Sequence, residues 1–370
     1  MRVAGGWRAM WRGAALAGAL VLVTSAAQPA RALAHGTWRI AAVLASPGEV
    51  VNLYAVAAIG SRDAWAVGSA TPLGGADHGL VEHWNGRLWA DWSPAARVAN
   101  LKSSDLTAIA APARTDVWIG GSGATDSYAL FWNGSRWRQL WLRKPILISA
   151  IAAFSPRDVW VFGDDNGPAV DRWDGHRWHF SWAPAFGARV SALSPSDIWS
   201  AGARGIRKQR TLVLSHWAGG SWRLIRLPRV SAKAGDYLAR PSVLALSDTE
   251  VWVSAEITAR DGIHLVRPVL LRWDGSSWAV FRCPLTKTVV TQMIPDGSGG
   301  LWLAGGAGPP MPGYFLHFLA GGWTWIQAPQ PKASRNPIPW GIAAVPGTRQ
   351  LLAVGTVIVG GEGIIYHGVA

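Results

Sequence analysis

Apolar and polar residues alternate in short runs along most of the chain, and Gly, Pro, Asn or Asp interrupts each run. A period of two marks strands with one buried face, and the interruptions mark tight turns. The runs recur as a unit. "SRDAWAVG" begins at Ser61, "ARTDVWIGG" at Ala113, "SPRDVWVFG" at Ser155 and "SPSDIWSAG" at Ser194. "SDTEVWVSA" begins at Ser247, "GSGGLWLAGG" at Gly297 and "GTRQLLAVG" at Gly347. Aligned on Trp65, Trp118, Trp160, Trp199, Trp252, Trp302 and Leu352, the copies are 39 to 53 residues apart.

A second element follows most copies: "HWNGRLW", "FWNGSRW", "RWDGHRW", "HWAGGSW", "RWDGSSW" and "FLAGGW". Asn-Gly or Asp-Gly between apolar residues predicts a two-residue type I′ hairpin, with positive φ at both central positions. Each unit then reads as four strands. The first resembles "LTAIAAP" and the second "DVWIGG", while the third and fourth are joined by the hairpin. The Asp ahead of the second strand is expected to cap the preceding turn. Four-stranded units of this length predict the blades of a β-propeller. Six are complete. The seventh supplies its second and third strands from "GTRQLLAVG" and "EGIIYHG" and then ends at Ala370. "HGTWRIAAVLASPG", residues 35–48, matches the fourth-strand pattern with Trp38 at the motif position. The expectation is an all-β, seven-bladed propeller over residues 35–370, its last blade closed by the amino-terminal strand. Closure removes the free sheet edges of an open array.

These motifs resemble kelch-like propellers and the central domain of the galactose-oxidase type. They resemble more closely exported actinobacterial proteins carrying "DVWAVG…HWDGxxW" repeats. The kelch pattern is imperfect, because only Gly120-Gly121 and Gly305-Gly306 give the glycine doublet and Trp stands where Tyr is frequent. Propellers host unrelated activities, so the resemblance implies fold rather than function.

The first residues read as an export signal, 1–34. Arg2, Arg8 and Arg12 precede the short apolar run 14–23, and Ala32-Leu33-Ala34 is a small-residue cleavage pattern. Secretion, with attachment to the cell wall as one option and retention as an anchor as another, follows. Lysine and arginine number 35 against 22 acids, a net charge of +13, and the leader holds four of those arginines. A basic surface favours acidic partners such as an anionic polymer or charged glycan. The single cysteine, Cys283, excludes an intrachain disulfide and is expected to be a buried thiol.

Most of the 25 tryptophans occupy repeated blade positions, where they pack. Each buried ring contributes roughly 3 kcal/mol. Trp92, Trp141, Trp182, Trp325 and Trp340 fall outside the repeat and are better ligand candidates. Trp340 aligns with the start of the first strand, where other blades carry Tyr54, Thr107, Ser149, Ser191, Ser242 and Thr291. The innermost strands of a propeller surround its channel, so a ring of hydroxyls interrupted by one indole is predicted at the channel mouth. Backbone satisfaction at strand starts is the competing role of those hydroxyls. Loops on the same face carry many cations, including Arg207 and Lys208 of "RGIRKQR", and that face is predicted to be net positive.

Catalytic signatures are sparse. His83, His216 and His317 precede the third-strand aromatic and so repeat structurally. Five tyrosines and a misplaced Cys283 do not supply a galactose-oxidase copper centre, and no metal or cofactor is expected. Paired carboxylates for glycoside hydrolysis could come only from Asp164, Asp165 and Asp171. No phosphate loop or Ser-His-Asp signature is present, and nucleic acid is not expected as a partner. The leading expectation is a monomeric, non-catalytic binding propeller that takes a glycan or anionic polymer at the channel mouth. A carbohydrate-active lyase or hydrolase, or a degenerate copper oxidase, is the alternative.

Overall fold

The computed structural model describes residues 37–96, 104–123, 125–184, 186–204, 211–230, 233, 236–259, 264–306, 312–332 and 335–370. The expected leader 1–34 and the pair Arg207 and Lys208 lie outside the described residues. The rest forms seven four-stranded antiparallel sheets. Among the described residues one short helix, Ser93–Ala96, is the exception to an all-β fold. No helix among the described residues is long and apolar enough to cross a membrane.

Blades 1 to 6 span residues 49–91, 105–141, 147–182, 186–226, 237–282 and 289–327, each in simple up-and-down order. Blade 7 combines Arg335–Ala344, Gln350–Val359 and Glu362–Val369 with Thr37–Leu44 as its outermost strand. Thr37 pairs with Val369 and Leu44 with Gly363, so the amino-terminal strand closes the ring as expected. The first strands contact one another in an unbroken circuit from blade 1 through blade 7 and back, which makes them the inner wall.

Six of the seven gaps between blades are filled the same way. The second-strand indole of one blade enters the hairpin aromatics of the next. Trp65 meets Trp132 and Trp137, Trp160 meets Trp217, and Trp252 meets Phe318, with ring centroids 5.4–6.5 Å apart. The hairpin indoles also pair within their own blade, as Trp173 and Trp178 do at 5.4 Å. These tilted and edge-on arrangements are the favoured ones for aromatic pairs. Trp92, expected to stand apart, belongs here too, because it packs at 5.2 Å from Trp65 and 5.4 Å from Trp132.

Two expectations about turns are corrected. The hairpins are not type I′. Gly86, Gly134, Gly175 and Gly275 take φ of 91–95°, while the preceding Asn or Asp does not enter the left-handed region. That residue accepts two backbone N–H bonds through its side chain instead. In the opening of blade 3's hairpin, Asp174 Oδ1 accepts from the N–H groups of His176 (2.8 Å) and Arg177 (2.9 Å). The side chain thereby replaces the backbone bond that a type I′ turn would use. The glycine lies against the turn between strands one and two, where a Cβ on Gly175 would sit 2.8 Å from the Arg157 side chain. Nor does the Asp ahead of strand two cap that neighbouring turn. Serine does so: Ser155 and Ser247 accept from the N–H groups of Arg157 and Thr249. The aspartate is used elsewhere.

Candidate functional site

Every first strand carries a β-bulge, and the bulge is where most of the predicted channel residues lie. Register slips at Tyr54, Thr107, Ser149, Thr291 and Trp340. These residues sit inside the strand, not at its start. A bulge re-aims the side chain it carries, which is why such positions recur beside binding sites. Ser191 and Ser242 do not belong to the set. Blade 4 bulges at Ala188, three residues before Ser191, and blade 5 at Arg240 and Pro241, just before Ser242. Alignment on hydroxyls misplaced both, because the true bulge residues there have none.

The hydroxyls that do converge are occupied. Thr107 Oγ1 donates to the carbonyl of Ile148 in blade 3 at 2.7 Å. Thr291 Oγ1 bonds the carbonyls of Ala304 (3.0 Å) and of Pro339 in blade 7 (2.7 Å). Ser149 Oγ donates to Phe162 O at 3.3 Å. Ser191 Oγ accepts from the Ala245 N–H of blade 5 at 3.0 Å. Ser242 is buried. Such bonds stitch strand to strand or blade to blade and satisfy bulge carbonyls that the ladder leaves unpaired.

One sector differs. Trp340 of blade 7 and Tyr54 of blade 1 hold the bulges on either side of the closure, and both are half-buried. Trp340 Nε1 donates to Thr356 Oγ1 (3.2 Å), which donates to Asn52 Oδ1 (2.9 Å), two residues before Tyr54. The Tyr54 hydroxyl lies 3.4 Å from Ser69 Oγ. Gly341 permits the approach, since a Cβ there would meet Ala55 Cα and Tyr54 O at 3.1 Å. The result is an aromatic bulge residue on each of two neighbouring blades, with a polar chain running from Trp340 to Asn52.

The aspartates ahead of strand two form a second recurrent device. His83 Nε2 bonds Asp63 at 3.0 Å, His216 bonds Asp197 at 2.9 Å, Arg172 pairs with Asp158 at 2.9 Å and Arg272 with Glu250 at 3.1 Å. Each cation or imidazole also lies over the strand-two indole: His216 stacks on Trp199 at 3.8 Å and Arg172 on Trp160 at 4.8 Å. Blade 6 lacks the acid at this position and has Gly300. Asp296 reaches across that glycine to His317 at 2.7 Å, and a Cβ on Gly300 would strike its carboxylate. Blade 2 has Phe131 in place of the cation, stacked on Trp118 at 4.4 Å. Asp116 there accepts from Trp118 Nε1 at 2.7 Å, and burial raises its pKa. The residue before each strand-three aromatic, aligned across blades, would have revealed the full set. The three histidines are only part of that set.

Acidic residues with raised pKa are scattered. Burial pushes Glu82 up to about 7, Asp171 to about 6 and Glu256 to about 8. They belong to blades 1, 3 and 5, so no two of them form the paired carboxylates of a glycosidase. Asp164 accepts from the Gly167 N–H at 3.2 Å and serves a turn. Cys283 is buried behind blade 5, which pushes its thiol up to about 12 and makes it a poor nucleophile. Among the described residues, no three His, Cys, Asp or Glu side chains are grouped to hold a metal ion. Trp141, Trp182 and Trp325 are exposed on outer strands, and Lys144 lies over the Phe180 and Trp182 rings at 4.3 and 5.4 Å.

No protein-family model matches the sequence, and no curated protein matches it. Solved structures do. YCF48 bound to D1 peptide superposes with a TM-score of 0.63 at 17% identity, covering 92% of this chain and 99% of that one. YCF48 from Cyanidioschyzon merolae gives 0.59 at 12% identity, covering 89% and 98%. The GH74 xyloglucanase from Xanthomonas campestris gives 0.56 at 15% identity, covering 87% of this chain and 52% of the enzyme. At these identities the likeness establishes the fold alone: the chain is a seven-bladed β-propeller.

Proposed function

We propose that this is an exported, non-catalytic binding propeller of the "DVWAVG…HWDGxxW" repeat type, with some kelch-like character. Its ligand is a glycan, taken at the channel mouth on the Trp340–Tyr54 sector. The observation that carries this reading is the pair of half-buried aromatic bulge residues on the neighbouring blades 7 and 1, with Asn52 and Thr356 hydrogen-bonded beside Trp340. Aromatic faces cover the apolar face of a pyranose, and amide and hydroxyl groups hold its hydroxyls, a usual division of labour in ligand pockets. Exposed cations at the same end of the blades, among them Lys144, Arg229, Lys287, Lys332 and Arg335, favour an acidic polymer over a neutral one. The leader 1–34 supports export, and with it an extracellular or wall-bound ligand. YCF48 bound to D1 peptide supports a binding role for this fold in general. A carbohydrate-active enzyme is the weaker reading, since the buried acids are dispersed and the ionisable groups ahead of strand two are engaged in packing.

The test is a glycan and wall-polymer binding screen of the full chain, repeated with Trp340→Ala. Loss of at least about tenfold in affinity is expected, the scale of one aromatic contact. Binding that survives the substitution unchanged overturns the site.

A further inference from the structure

Six blade junctions are filled by an indole held under a carboxylate-bonded histidine or arginine or a stacked ring. The seventh is not. Blade 7 presents Leu352 where the others have Trp, and Gln350 where five of the other six have an acid and blade 6 borrows Asp296 across Gly300. Leu352 still packs with Trp84 and Trp89 of blade 1. The missing indole leaves a cleft of about 890 Å³ between the two blades, well within the size range of small-molecule sites. It opens at the end of the blades bearing the hairpin turns, away from the Trp340–Tyr54 sector.

The cleft keeps the imidazole and loses its acid. His367 occupies the position of His83 and His216, pairing with Leu352 as they pair with tryptophan. Arg39 lies directly across from it on the closing strand. Arg62 and Arg87 reach in from the two turns of blade 1. Gly86 packs on the Arg62 stem, where a Cβ would come within 2.9 Å, and so fixes its direction. No carboxylate among the described residues is within ion-pair distance of any of these four groups. Burial and Arg39 together lower the pKa of His367, so the ring favours its neutral form while no acid stands beside it. Trp84 and Trp89 supply aromatic wall, and Trp84 is anchored through Nε1 to Ser61 O at 3.0 Å.

We propose that this cleft is a second ligand site, independent of the channel mouth, and that it binds a carboxylate carried on a ring, such as a uronic acid. The ring takes the place of the missing indole against Trp84 and Trp89. The carboxylate takes the place of the missing acid among Arg39, Arg62, Arg87 and His367. Guanidinium groups suit this because they donate in a planar fork matched to a carboxylate.

Isothermal titration of the full chain with sodium glucuronate, sodium benzoate and glucose tests the idea. Glucuronate is expected to bind, and glucose to bind at least tenfold more weakly. Benzoate binding better than glucuronate would keep the carboxylate site and change the ring to an aromatic one. Arg62→Ala and Arg87→Ala, both on exposed turns, are each expected to weaken binding at least fivefold, with Arg226→Ala on blade 4 leaving it unchanged. The double change Gln350→Asp with Leu352→Trp rebuilds the closed junction and should abolish binding. Glucose binding as tightly as glucuronate, or affinity unmoved by Arg62→Ala and Arg87→Ala, would overturn the proposal.

Discussion

The junction between blades 4 and 5 and the junction between blades 7 and 1 are built from the same positions with opposite results. In the first, Trp199 is 1% exposed, stacked on His216, which is bonded to Asp197. In the second, Leu352, His367 and Gln350 stand in the same places and the gap stays open. A residue repeated in every blade is a packing device. Its function-bearing potential appears where one copy is changed. The histidines illustrate this. Five of seven blades place a histidine or arginine over the second-strand indole with a carboxylate beneath, so an isolated His-Asp pair here signals architecture and not general-base chemistry.

The largest effect is expected from breaking the closure itself. Deleting residues 35–48 removes the outer strand of blade 7 and exposes the edge at Glu362–Val369. Cooperative thermal unfolding, followed by circular dichroism, should be lost; an unchanged melting temperature would contradict closure by this strand. Next comes Trp199→Leu, which makes a closed junction resemble the open one. A loss of about 3 kcal/mol is expected from chemical denaturation, from the apolar area removed and the cavity left. Asp296→Ala should cost about 2 kcal/mol, because it strips His317 of its partner and leaves the Ser298 and Gly300 N–H groups unbonded.

A smaller, pH-dependent effect is expected at Glu256. Its folded pKa, about 8, is raised by burial above the ordinary 4.5. The raised value means that folding favours the protonated form. The stability it contributes is full below pH 4.5 and is lost as pH rises through 8. Glu256→Gln should therefore match the parent at pH 4 and be more stable at pH 9, by on the order of 2 kcal/mol. Equal melting temperatures of parent and variant across that range would show that the carboxyl is solvated.

Much of the fold was legible because a propeller writes its architecture in period. The tryptophan and turn motifs located all seven blades, and Trp38 betrayed the strand that closes the last one. The turn type was not legible, since Asn-Gly and Asp-Gly serve a side-chain-capped turn as readily as a type I′ turn. The channel ring was legible in part. Tyr54, Thr107, Ser149, Thr291 and Trp340 were placed correctly relative to one another, because each stands eleven or twelve residues before the strand-two motif residue. Ser191 and Ser242 were not, because that spacing, and not the hydroxyl, defines a bulge. The open junction was written in Leu352 and Gln350, which the repeat pattern marks only as the second strand of the seventh blade. Its meaning depends on Arg39, Arg62 and Arg87, which chain order separates and closure brings together.

The most direct test of the contrast between junctions is a paired melting experiment on Trp199→Leu and Leu352→Trp. Trp199→Leu should lower the melting temperature by several degrees, while Leu352→Trp, entering a gap of about 890 Å³, should leave it unchanged or raise it. A Leu352→Trp variant destabilised as much as Trp199→Leu would show that the seventh junction is already closed and would remove the basis for a site there.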